Sequence, residues 1–214
     1  MRGKRWTKRV EGGRRSGGLF RQMEDSGSSS PPAPALFRNK YWILRHGRSI
    51  PNERGIIVSS LENGTKPEFG LTPQGVEQAR LAGESLRKEL EELGVPLDSV
   101  KIRYSPFSRT METAREVAGV LGVPFDTPSC IPWNFGNVIL GHHMNCFHMR
   151  SSAILIVSHG DPLQIFQAVL KETKENSSFL DEVSDLKKRG MIASSVLSQH
   201  RKFALLTAEL RRLV

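Results

Sequence analysis

The sequence predicts an α/β fold, a three-layer α/β/α sandwich built on a mostly parallel sheet. Three observations predict it. Short apolar runs ("YWIL", "VKIRYS", "AILIV") alternate with longer segments whose apolar residues recur at helical spacing. The run from Ala153 to Val157 is unbroken, as expected of a strand buried on both faces. Turn and cap residues fall between the runs at positions where a helix starts or stops.

The elements follow in order. Residues 1–35 are rich in Gly, Ser, Arg and Pro, end in "SSSPPAPA" and lack apolar periodicity. They read as a disordered tail preceding a domain at 36–214. "YWIL" is the first strand. "LTPQGVEQARLAGESLRKELEELG" reads as a helix, with Thr72 as N-cap, Pro73 at its first position and Gly94 at its stop. Val76, Ala79, Leu86, Leu90 and Leu93 supply its apolar stripe. "VKIRYS" (100–105) is a second strand, and "SRTMETAREVAGVLG" a second helix ending at Gly122. "SAILIVSHGD" carries the third strand, and Pro162 opens a third helix. "ASSVLSQH" and "FALLTAEL" are expected to pair as closing strands around Arg201-Lys202, and Asn63-Gly64 to form a tight turn.

Bulk properties exclude several classes. The net charge of +9 over 214 residues suggests nucleic acid, but residues 1–21 hold eight basic side chains against Glu11 alone. The body of the chain carries only about +2, so the charge belongs to the tail and nucleic acid is not an expected partner. No run is long and apolar enough for a membrane span. Cys130 and Cys146 are the only cysteines, which argues against a disulfide framework. A cytoplasmic protein is expected, with organellar targeting by the Arg-rich segment as the alternative reading.

The chemistry gathers at strand exits. "YWIL" runs into Arg45-His46-Gly47-Arg48, "AILIVS" into His159, and "VKIRYS" into a loop bearing Arg109. Ligands of such sheets bind beyond the carboxyl ends of the strands. Two imidazoles and two guanidiniums suit a phosphoryl group. Arginine grips phosphate oxygens with a planar fork, and a neutral imidazole can attack phosphorus. Gly47 is expected to let the backbone approach the ligand, and Asn52 to donate to it. The arginines supply the positive charge, so neither metal nor cofactor is expected.

These residues carry a family resemblance. "LRHGRSIPN", "LTPQGVEQA", "YSPFSRTMETA" and "VSHGD" occur in one order, and together they resemble the histidine phosphatase superfamily in its phosphoglycerate-mutase-like branch. The resemblance covers about residues 40–125 and 152–210. It implies a phosphoglycerate-mutase-like fold and a phosphorylated small-molecule substrate. It implies that His46 accepts the phosphoryl group, that Arg45, Arg109 and His159 complete the pocket, and that Ser49 and Asn52 contact substrate.

One part of the pattern is broken. Family members usually carry an acid, which protonates the leaving group, between the second helix and the second histidine. Here residues 127–160 contain no Asp or Glu. Asp126 and Asp161 are the candidate substitutes. The stretch 127–151 is short and atypical, and a poorly ordered segment is expected there. Its Cys130, His142, His143, Cys146 and His148 match no zinc-site spacing. The expected function is therefore a metal-independent phosphomonoesterase, impaired by the missing acid. The alternatives are an inactive phospho-ligand-binding module and a mutase-type phosphotransferase.

Overall fold

The computed structural model describes residues 39–125, 153–175 and 194–213, all within the unit Leu36–Val214. The tail, Asp126, the stretch 127–151 with its cysteines and histidines, and "LKKRG" (186–190) lie outside the described residues.

The described sheet has four strands: β1 (Lys40–Arg45), β2 (Val100–Tyr104), β3 (Ala153–Ser158) and β4 (Leu210–Arg212), in the order β2-β3-β1-β4. β1 and β2 each pair in parallel with β3, and β4 runs antiparallel to β1. The helices are α1 (Ile50–Arg54), α2 (Leu61–Gly64), α3 (Pro73–Glu92), α4 (Ser108–Leu121) and α5 (Gly160–Glu175). Residues 194–199 are also helical.

Alternate side chains of the central strands feed two cores, as a period of two requires. Trp42, Leu44, Leu155 and Val157 pack with Leu86 and Leu90 of α3 and Val117 and Leu121 of α4. Tyr41, Ile43, Ile154 and Ile156 pack on the other face with Leu163 of α5 and Leu205. The three-layer α/β/α arrangement read from the sequence is the one observed. β3 is buried along its whole length, which explains its unbroken apolar run.

The helix boundaries follow their caps. Thr72 accepts a hydrogen bond from Gly75 N at 3.1 Å, and Pro73 occupies the first turn. Gly94 (φ 62°) lies just past the end of α3, and Gly122 (φ 71°) caps α4. α5 begins at Gly160, two residues ahead of Pro162, so Pro162 falls in its first turn, where a missing N–H costs nothing.

Two expectations are corrected. The closing strand pair does not form, because 194–199 is helical and His200–Phe203 is a 3-10 turn. Val196 decides this by burying itself against Ile165 and Ala168 of α5, while its neighbours stay exposed. One apolar contact per turn suits a helix rather than a strand. Only Leu210–Arg212 is a strand, and it pairs with β1. It starts late because Ala208 holds a left-handed φ of 54°.

Asn63-Gly64 is not a hairpin-like turn but the end of α2, whose N-cap Ser60 accepts from Asn63 N at 3.3 Å. Gly64 lies against the Phe107 ring, where an added Cβ would come within 2.7 Å.

Gly47 also serves the fold itself. A Cβ there would lie 2.3 Å from Gly75 O, and one on Gly75 would lie 2.0 Å from Arg48 O. The two glycines permit a close backbone approach between the loop after β1 and the first turn of α3. The glycine of "RHG" thus accommodates a helix.

Candidate active site

Sheet register builds the site. Arg45 of β1 is paired with Ser158 of β3, so the next residues, His46 and His159, leave the sheet side by side. His46 N donates to Ser158 O at 2.9 Å, extending the pairing by one residue. The two imidazole rings meet edge to face with centroids 5.3 Å apart. Beyond β2, Ser105 N donates to Val157 O at 3.1 Å. That bond brings the short loop leading to Arg109, in the first turn of α4, to the same edge.

His46 is 4% exposed, and its Nδ1 lies 2.8 Å from Gly47 O. A carbonyl oxygen only accepts, so Nδ1 carries the proton and Nε2 keeps its lone pair. Burial lowers the pKa of His46 to about 3, with smaller contributions from Arg109 and Arg45 and partial opposition from the Gly47 bond. Burial likewise lowers that of His159 to about 2, aided by His46 and the two arginines. Both rings are neutral at physiological pH.

Arg109 is buried and Arg45 half-buried, and neither forms an ion pair among the described residues. Arg109 is 8% exposed, and one of its amino groups donates to Val58 O at 3.2 Å. Its Nη1 is buried with no hydrogen-bond partner. Arg45 donates to Leu205 O at 2.7 Å, and its Nε is buried and unpartnered. Burial lowers the pKa of Arg109 to about 10 and lowers that of Arg45 as well, with Asp161 opposing the shift at Arg45. Among the described residues the ion pairs belong to Arg48, Arg80, Lys171 and Arg211, and neither Arg45 nor Arg109 makes one. Two cations, each with a buried nitrogen that lacks a partner, beside two neutral imidazoles, create a demand for an anion.

The other predicted residues fall around this centre. Ser49 is fully buried as the N-cap of α1, where it forms a capping box with Asn52. Asn52 is exposed, and its Oδ1 accepts from Ser49 N at 3.1 Å and Ser49 Oγ at 2.9 Å. Its amide oxygen is therefore committed to the cap. Asp161 is exposed in the first turn of α5, close enough to Arg45 to act on its charge. Arg48, the second guanidinium of the "RHGR" cluster, is paired with Glu53 at 3.6 Å and donates to Gln74 at 3.0 Å.

Several participants were not named by the sequence reading. Ser105 Oγ lies 2.9 Å from His159 Nε2. Phe107 touches the His159 ring edge to face at 5.0 Å and lies 4.8 Å beneath the Arg109 guanidinium. The loop before β4 closes on the site, with Ala208 N donating to His46 O at 3.1 Å. A sequence signal for Ser105 did exist. Like His46 and His159, it is the first residue past its strand.

Comparison with known proteins follows this geometry. A family model described as the histidine phosphatase superfamily (branch 1) matches residues 41–138, a stretch that ends before β3 and His159. No curated protein matches the chain. Among solved structures, it is similar to the product of the open reading frame Rv3214 of Mycobacterium tuberculosis, with a TM-score of 0.49 at 19% identity over 82% of this chain and 90% of that one. It is similar to the mycobacterial glucosyl-3-phosphoglycerate phosphatase Rv2419c in complex with VO3, with a TM-score of 0.42 at 15% identity over 62% and 80%. It is also similar to phosphoserine phosphatase from Entamoeba histolytica in complex with 3-phosphoglyceric acid, with a TM-score of 0.39 at 18% identity over 82% and 90%. Over residues 41–138, just under half of its length, this chain is thus similar to the histidine phosphatase superfamily, branch 1.

Proposed function

We propose that the chain is a metal-independent phosphomonoesterase working through a phosphohistidine at His46. The observation that carries this reading is the pair of guanidiniums, each with a buried, unpartnered nitrogen and no carboxylate ion pair among the described residues, set beside two neutral imidazoles. Arg45 and Arg109 bind the phosphoryl oxygens and offset the charge that redistributes during transfer. The Nε2 lone pair of His46 forms a bond to phosphorus as the ester P–O bond breaks. The Nδ1 proton stays on the ring, where Gly47 O accepts it and favours the cationic phospho-imidazole. Water then attacks phosphorus, the N–P bond breaks, and its electron pair returns to Nε2. No step needs a metal.

The departing alkoxide takes a proton from Asp161 or from solvent. Asp161 is the one described carboxylate whose charge acts on a pocket arginine, and it is exposed. Esters with good leaving groups are therefore the preferred substrates. Ser49 acts through the α1 cap, and Asn52 reaches substrate through its amide nitrogen. The same exposure of Asp161 favours a second reading, a module that binds a phosphorylated ligand without turnover.

The decisive experiment combines p-nitrophenyl phosphate hydrolysis with intact-mass analysis at neutral pH. The phosphomonoesterase reading expects turnover and one transient phosphoryl group on His46, both lost in His46→Asn. A folded chain that is stabilised by phosphate yet neither labelled nor active gives the second reading instead.

A further inference from the structure

We propose that Ser105 is a positioning residue that holds the His159 imidazole at the angle the site requires, an inference that rests on the phosphomonoesterase reading. Its hydroxyl lies 2.9 Å from His159 Nε2. Serine can accept from Nε2–H or donate to Nε2, and either bond fixes the ring plane and biases the tautomer.

Ser105 is suited to this because its own backbone is held on both sides. Its N–H donates to Val157 O of β3 at 3.1 Å, and its carbonyl accepts from Thr110 Oγ1 of α4 at 2.7 Å. The residue is 2% exposed. Phe107, two residues further on, braces the same imidazole from another side at 5.0 Å while lying under Arg109. The hydroxyl of Ser105 therefore ties the loop between β2 and α4, which leads to Arg109, to His159 just past the end of β3. A group held on rigid neighbours is the kind that keeps a reacting geometry within tolerance.

The test uses the full chain as wild type, Ser105→Ala and Ser105→Thr. With p-nitrophenyl phosphate, Ser105→Ala is expected to lower kcat on the order of 10- to 100-fold with KM little changed. Ser105→Thr, which keeps the hydroxyl, is expected to recover most of the rate. An unchanged kcat in Ser105→Ala, or an equal loss in a folded Ser105→Thr, overturns the inference.

A second readout needs no turnover. In chains labelled with 15N-histidine, the His159 ring signals, assigned by their loss in His159→Ala, are expected to shift in Ser105→Ala while those of His46 hold. Unmoved His159 signals overturn the inference even in an active enzyme. If wild type proves inactive, the phosphomonoesterase reading fails by itself, and the shift or constancy of these signals still decides what Ser105 does to His159.

Discussion

The carboxyl edge of the sheet and the outer surface of its helices treat arginine in opposite ways. On the helices, Arg80 reaches Glu116 at 2.8 Å, and in the loop before α1 Arg48 is held by Glu53 and Gln74. These cations find their partners within the chain and in water. At the sheet edge, Arg109 is buried and Arg45 half-buried, both donate to backbone carbonyls, and no described carboxylate forms an ion pair with either. The difference teaches where the fold is complete. The surface needs nothing from outside, whereas the edge is electrostatically unfinished until an anion arrives.

The largest effect that would sharpen this contrast comes from the proposed nucleophile. His46→Asn keeps a polar side chain of similar size but removes the Nε2 lone pair on which the proposed mechanism depends. Hydrolysis of p-nitrophenyl phosphate is expected to fall on the order of 10⁴-fold. Retained activity would show that the edge is not the reacting centre. Next come the cations: Arg45→Ala or Arg109→Ala should each lower kcat/KM on the order of 10²- to 10³-fold, measured under the same conditions. Both should also raise stability in phosphate-free buffer relative to phosphate, because each removes a buried charge that only the anion satisfies.

A packing prediction follows. Gly75→Ala places a methyl group against Arg48 O and should destabilise the fold by about 1–3 kcal/mol in chemical denaturation. Gly119→Ala, in α4 with open space around it, should instead stabilise by about 0.5–1 kcal/mol. Equal effects at the two positions would break the account of the Gly47–Gly75 approach.

Acid probes the same edge more gently. His46 and His159 have folded pKa values near 3 and 2, well below their unfolded values near 6.5. The unfolded chain therefore binds protons that the native site refuses. Stability from this source is full above about pH 6.5 and declines as pH falls toward those folded values. Thermal unfolding at pH 7.5 and pH 5 in phosphate-free buffer should show a drop in Tm that is smaller in His46→Asn. The smallest effect belongs to the outer surface, where Arg80→Ala should leave both Tm and hydrolysis unchanged.

The sequence carried much of this in readable form. Strands β1 to β3 and the helices α3 and α4 were legible because apolar period and cap residues agree at Thr72, Pro73, Gly94 and Gly122. The convergence of His46, His159 and Arg109 was legible because parallel strands deliver their following residues to one edge. What escaped depends on contacts distant in the chain. Helix 194–199 owes its form to Val196 packing on α5, and the late start of β4 reflects the backbone of Ala208 bonded to His46. The packing of Gly47 on the Gly75 carbonyl escaped because that neighbour comes from another motif.

The pairing of Arg45 with Ser158 has a kinetic corollary. The anion-binding corner comes into being only when two strands far apart in the chain have zipped together, a slow kind of contact compared with local helix formation. Orthophosphate should thus recognise the finished sheet and little before it, slowing the escape from the native state while leaving the early steps of refolding at their own pace.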